Sequence, residues 1–261
     1  MSAPPERPRG PALLDALESG TVRAAEPGPE GWIVHAWVKE EILALFRDSA
    51  VEPAGVEGPP GAFRDKAPFA VRRFSADERV RLVPGGSAVR RGAYVGHDVV
   101  CMPPMYVNVG AWVGAGAMID SHALVGSCAQ VGERVHVAAG AQIGGVLEPP
   151  GARPVIVEDD AFVGANAGLF DGVLVGRGAV IGAGVVLARG TVVFDLVHER
   201  ELRWSAARPL EVPPRAVVIP GARKLAGTFT EERGLAAGCA LLVKLRDERT
   251  DAATALEQAL R

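Results

Sequence analysis

The chain has 261 residues, 48% of them hydrophobic, with 28 basic and 31 acidic side chains for a formal net charge of -3. That is enough apolar content to bury a core without metals or disulfides. The charges form no basic block to meet a phosphate backbone, which argues against nucleic acid as a partner.

The N-terminal run MSAPPERPRGPALLDALES carries charges and prolines where a secretion signal needs an apolar stretch, so a cytoplasmic protein is predicted. Helices are predicted over Ala12–Glu18, stopped by Gly20, and over Val34–Arg47, where Val38, Ile42, Leu43, Leu45 and Phe46 form an apolar stripe. The Pro- and Gly-rich residues 50–62 read as a linker.

A period of six then takes over. Val83, Val89, Val95, Cys101, Val107, Val113, Ile119, Val125, Val131, Val137 and Ile143 keep an unbroken register, and the fourth residue after each, from Ser87 to Leu147, is small or apolar. The register slips by two across Glu148–Ile156 and resumes at Val157, Val163, Leu169, Val175, Ile181, Leu187 and Val193. Such a pattern is a hexapeptide solenoid, with short strands, tight turns and a narrow aliphatic interior. At three repeats per turn the starts make about six coils, stacked about 4.8 Å apart. Val99–Ile119 is mostly apolar, but its prolines, glycines and Asn108 do not suit a membrane span. Beyond the solenoid, strand-like runs over Ala216–Ile219 and Ala240–Val243 precede a predicted helix over Asp251–Leu260. The expected division is therefore 1–80 as an N-terminal helical region with linker, 81–195 as solenoid with a loop near 148–156, and 196–261 as a cap over its open end.

The three cysteines, Cys101, Cys128 and Cys239, have neither metal-ligand nor redox spacing and read as small buried apolar residues in a reducing compartment. Asp120 stands out, because it follows Ile119 where most second positions of the register hold Gly or Ala. A carboxylate there has two readings: it bonds backbone N–H groups at a coil corner, or it acts chemically. Asn108 and Glu158 break the same habit, and Asn108 is expected to bond a neighbouring coil. His122 and His136 fall at outward register positions, where a surface histidine is expected.

The stretches RGAYVGHDVVCMPPMYVNVGAWV, AMIDSHALVGSCAQVG and IGGVLEP, with the N-terminal LLDALESG and HAWVKEEILALF and the later VIVEDDAFVGAN, resemble the left-handed parallel β-helix acyltransferases. Within them they are similar to the bacterial tetrahydrodipicolinate N-succinyltransferases over nearly the whole length. The resemblance implies a mainly β fold, a left-handed parallel β-helix with an α-helical N-terminal region and a small C-terminal β/α cap. It implies homotrimers with active sites between neighbouring subunits. Its activity would be succinyl transfer from succinyl-CoA, a co-substrate, to the amino group of ring-opened tetrahydrodipicolinate, with no permanently bound cofactor or metal.

It also implies that Asp120 contacts the amino-acid end of the substrate and helps remove the amine proton. Arg81 would bind a substrate carboxylate, provided one extra residue is absorbed around Pro84–Ser87. Glu148, leading into the loop, has two readings, one in which it orients substrate or a neighbouring subunit and one in which it is a solvated loop charge; Arg223 and Lys224 are candidates for the phosphates of CoA. One departure is clear: where the better-known branch has a second acid, this chain has Gly168, and Asp171 lines up with a separate acidic position. The rival readings are an acetyl-CoA-dependent acyltransferase on the same or a related amine, a zinc carbonic anhydrase using His97, His122 and His136, and a trimer with altered or lost catalysis.

Overall fold

A computed structural model of the chain describes residues 7–54, 63–205 and 208–250. Its first helix, Pro11–Glu18, begins on a proline, whose missing N–H is not needed in a first turn. It buries Leu13, Leu14 and Leu17, and the second helix, Ala36–Asp48, buries Val38, Ile42 and Leu45. Together with Phe69, Val109 and Cys128 these form a cluster that seats the N-terminal region on the solenoid. Each such side chain contributes about 1.5–3 kcal/mol relative to an exposed position. Two hairpins were not foreseen. Ala25–Gly28 pairs antiparallel with Gly31–Val34, and Val51–Ala54 pairs with Phe63–Lys66, so the start of the expected linker is a strand. Residues 55–62 of that linker, and the helix expected over Asp251–Leu260, lie outside the described residues.

The solenoid has three faces of parallel strands, each rung two residues long. Face 1 stacks Tyr94–Val95, Trp112–Val113, Gln130–Val131, Ile156–Val157, Leu174–Val175 and Glu211–Val212. Face 2 starts at Arg81–Leu82 and continues through Val100–Cys101, Met118–Ile119, His136–Val137, Phe162–Val163 and Val180–Ile181 to Val217–Val218. Face 3 runs from Ala88–Val89 through Tyr106–Val107, Leu124–Val125, Gln142–Ile143 and Gly168–Leu169 to Val186–Leu187. In each rung the second residue points inward, and from Val89 to Leu187 every aliphatic of the six-residue register is buried. The third residue after it turns the corner in the left-handed region, with φ 74° at Gly110, 59° at Asp98 and 64° at Cys128. Gly, Asn and Asp accept this conformation at little cost.

The period misjudges the register at three places. Leu82, not Val83, pairs with Cys101, and the extra residue is taken up before Val89, as the placement of Arg81 required. The apparent slip of two is a loop: Gln142–Ile143 on face 3 leads to Ile156–Val157 on face 1, and Val155 fills the slot that counting gave to Leu147. Leu147 instead packs against the N-terminal cluster. Val193 leaves the solenoid, pairing with Ala240, and Glu211–Val212 takes the next rung of face 1. The cap strands are longer than expected: Ala216–Lys224 and Ala236–Leu245 form an antiparallel ribbon that extends face 2. Among the described residues no helix is long and apolar enough to cross a membrane.

Candidate functional site

The glycine habit at the second position marks rungs where the next coil comes close. Between faces 1 and 2, a Cβ on Gly96 or Gly114 would lie 2.7 Å from the nitrogen of Ala115 or 2.6 Å from that of Glu133, so the coil above forbids a side chain. At the corner leaving face 2 the equivalent positions are Met102, Asp120, Ala138, Gly164 and Gly182; the first three hold side chains, whereas a Cβ on Gly164 would lie 2.6 Å from the nitrogen of Ala183. Asp120 is thus a choice among residues that fit. Glu158 breaks the habit for packing: it accepts bonds from Trp32 Nε1 at 3.0 Å and from the Arg177 N–H at 2.9 Å. Asn108 takes Arg90 of the neighbouring coil at 3.3 Å, as expected, and the Val109 N–H at 2.8 Å.

The two oxygens of Asp120 divide the two readings between them. Oδ1 accepts the Ser121 N–H at 2.7 Å, the corner bond that Asp makes in turns. Oδ2 lies 3.9 Å from Nε2 of His136 on the next coil of face 2. The Asp120 side chain is 30% exposed and His136 only 16%, so the carboxylate is the more open of the two to solvent. His136 departs from the surface histidine expected at its register: it stands between Met118 and Phe162 on the face, and its ring meets Phe162 edge-on, with centroids 5.0 Å apart. His122, at a left-handed corner, is exposed.

The remaining predicted residues lie elsewhere on the single chain. Arg81, on face 2, lines a cavity of about 780 Å³ with Arg79, His97, Asp98 and Arg134. Glu148 is exposed on the loop that leaves face 3 and lines a different cleft of about 940 Å³ between Trp32 and Trp204. Arg223 and Lys224 are exposed near the tip of the antiparallel ribbon, paired in register with Ala237 and Ala236. Among the described residues no three His, Cys, Asp or Glu side chains converge as metal ligands.

The position of the second acid is filled in an unexpected way. A Cβ on Gly168 would lie 2.6 Å from Cε2 of Phe170, and one on Gly144 would lie 2.7 Å from its Cδ1. The phenyl ring therefore covers both glycines, and a carboxylate side chain at 168 has no room while Phe170 stays in place. Asp171 is exposed and accepts the Arg189 N–H at 2.9 Å, a turn role.

Sequence reading missed what the SCAQVG and IGG stretches do. Gln130 is fully buried; its Nε2 donates to the Cys128 carbonyl at 2.8 Å and its Oε1 accepts Arg23 Nε at 2.6 Å. Arg23 also lies 4.0 Å over Trp112, which stacks on Tyr94 at 3.8 Å. Burial pushes the Arg23 guanidinium down to about 10, against the opposing pull of Glu26, Asp159 and Tyr94. Gly145 packs where any Cβ would overlap the Ser127 nitrogen, and a Cβ on Gly126 would overlap that of Gly145. Lys39, fully buried on the second helix, donates to the Ala152 carbonyl at 2.5 Å. Desolvation pushes its pKa down, opposed by Cys128. Both stretches thus fasten the N-terminal region and the Glu148 loop to the solenoid. The signal available in the sequence was a buried-type polar residue, Gln130, in the middle of a rung. The cysteines are buried, and burial alone pushes the Cys101 thiol up to about 12; Cys128 is raised to about 12 in the same way, with Lys39 opposing.

Residues 154–189 match the hexapeptide repeat of succinyl-transferase, and residues 11–47 match the N-terminal region of tetrahydrodipicolinate N-succinyltransferase. The chain is 42% identical over 256 residues to the 2,3,4,5-tetrahydropyridine-2,6-dicarboxylate N-succinyltransferase of Rhodopseudomonas palustris, covering 95% of this chain and 87% of that one. It belongs to this family. A protein of the same name from Bradyrhizobium diazoefficiens is 41% identical over 95% of this chain and 88% of its own. For that of Xylella fastidiosa the figures are 40%, 98% and 88%. The family's N-terminal region covers both helices that Lys39 and Arg23 help to anchor, and its hexapeptide region covers the coils around Gly168.

Proposed function

We propose that the protein transfers the succinyl group of succinyl-CoA to the amino group of ring-opened tetrahydrodipicolinate, 2-amino-6-oxopimelate, in diaminopimelate and lysine biosynthesis. The observation that carries this is identity of about 40% along nearly the whole chain to transferases named for this substrate. The acetyl-donor alternative and the carbonic anhydrase reading have no such support.

In this reading an ammonium group of the substrate docks on Oδ2 of Asp120, the oxygen left over from the corner bond. The amine must lose a proton before its lone pair can attack the thioester carbonyl, and a carboxylate at hydrogen-bond distance positions it for that loss. Backbone N–H groups stabilise the oxyanion of the tetrahedral intermediate, and the C–S bond then breaks to release CoA. The solenoid is left-handed and three chains assemble, so that residues on different sides of one chain serve one site between neighbours: Arg81 on a substrate carboxylate, Glu148 from its loop, Arg223 and Lys224 toward the CoA phosphates. The enzyme works in the cytoplasm, where its free cysteines stay reduced.

The test is mass spectrometry of the product formed from tetrahydrodipicolinate and succinyl-CoA by the purified protein. A succinyl amide of amino-oxopimelate is expected. Absence of substrate-dependent CoA release with this donor would overturn the assignment.

A further inference from the structure

We propose that His136 is a positioning residue for Asp120 and the second member of the path that removes the amine proton, an inference that rests on the function proposed above. Gly168 offers no acid and Phe170 covers it, so a second proton acceptor has to come from elsewhere. Among the described residues the geometry points to His136. His136 Nε2 is buried and lies 3.9 Å from Asp120 Oδ2. Edge contact with Phe162 fixes the plane of its ring, and register places Met118 below and Phe162 above, both uncharged. Asp120 faces it as a charged group from the adjoining coil; Arg134, on its own coil, pairs with Glu133 and with Asp160 at the opposite corner.

An alkylammonium and a thioester become an amide, a thiol and one free proton. Of the two protons that leave nitrogen, one ends on the thiolate released from the acyl carbon. The other passes to Asp120 and is carried by His136 as imidazolium, whose charge restores Asp120 to a carboxylate before the proton returns to solvent. A carboxylate alone is too weak a base to hold a proton at neutral pH, and an imidazole beside it is matched to that task.

Two measurements test this. The first needs no turnover: NMR titration of the imidazole resonances, with His136 assigned from the His136→Asn variant, in the wild type and in Asp120→Asn. Loss of the facing carboxylate is expected to lower the His136 titration midpoint by about one pH unit; an unchanged midpoint overturns the pairing. The second is steady-state kinetics with succinyl-CoA. In His136→Phe, which keeps a ring against Phe162, and in His136→Asn, kcat is expected to fall about 100-fold with KM within about threefold, and the acidic limb of the kcat–pH profile to disappear. A His136→Phe variant with wild-type kcat and pH profile would show that the ring only packs. If the wild type itself has no activity with this donor, the function fails while the titration still decides the pairing.

Discussion

Gly168→Ala isolates the contact that closes the second-acid position. Gly168 lies outside the left-handed region, so alanine fits its backbone and the whole cost is steric. The new Cβ would lie 2.6 Å from Cε2 and 3.1 Å from Cζ of Phe170, so the ring must withdraw by about 1 Å to restore ordinary contact. Phe170 is 36% exposed and can swing outward, losing its contact over Gly144 as it does. An overpacked site of this kind costs about 1–2 kcal/mol, or about 2–8 °C in melting temperature for a chain of this size. With Phe170→Ala as background the clash is gone, and Gly168→Ala should stabilise by about 0.5 kcal/mol through the unfolded chain. Urea denaturation of the four proteins at one fixed concentration gives the coupling, expected at about 1.5–2.5 kcal/mol. An equal effect of Gly168→Ala in both backgrounds would refute the idea that Phe170 occupies this position.

Other expectations follow from the same contacts. Cys101 and Cys128 should resist a thiol reagent at pH 8 in the folded protein and react fully in guanidinium, because burial raises both thiols to about 12; fast labelling of either in the native state would contradict their burial. Arg23→Ala should cost about 2 kcal/mol through loss of the Gln130 bond and the stack on Trp112, and it should loosen the N-terminal region first, seen as faster hydrogen exchange in residues 11–47. Asp195 in the cap is buried, which pushes its pKa up, but bonds from Arg200 and His198 outweigh this and hold it below the usual carboxylate range. Its stabilisation is therefore present above about pH 4 and lost as pH falls through the depressed value. Asp195→Asn should be less stable than the wild type by about 2 kcal/mol at pH 7, with the gap closing below pH 4.

The solenoid was legible because its interior is a local rule, one aliphatic every six residues, and a local rule survives without knowledge of the partner strands. Where the rule failed, the cause was not local. Val83 yields to Leu82, Leu147 to Val155 and Val193 to Val212, because a turn or an excursion changes the count without changing the composition. Asp120 was visible as a charge in a small-residue position, yet reading that position as uniformly small merged rungs that leave room for a side chain, as at Met102 and Asp120, with rungs that do not, as at Gly164. The partial burial of His136 and the docking roles of Gln130, Lys39 and Arg23 depend on neighbours from 18 to more than a hundred positions away, so no spacing announces them. Phe170 over Gly168 needed coordinates for a simpler reason: a glycine in a motif says that space is short, and only the structure says what fills it.

Asp120 is the group that handles the amine in this mechanism, and the most direct measurement compares kcat/KM for tetrahydrodipicolinate with succinyl-CoA and with acetyl-CoA, in the wild type and in Asp120→Asn. Preference for succinyl-CoA and a fall of at least about 100-fold in Asp120→Asn, in a variant that melts like the wild type, are the expected results. Wild-type turnover in Asp120→Asn, or an equal or greater rate with acetyl-CoA, would contradict the account.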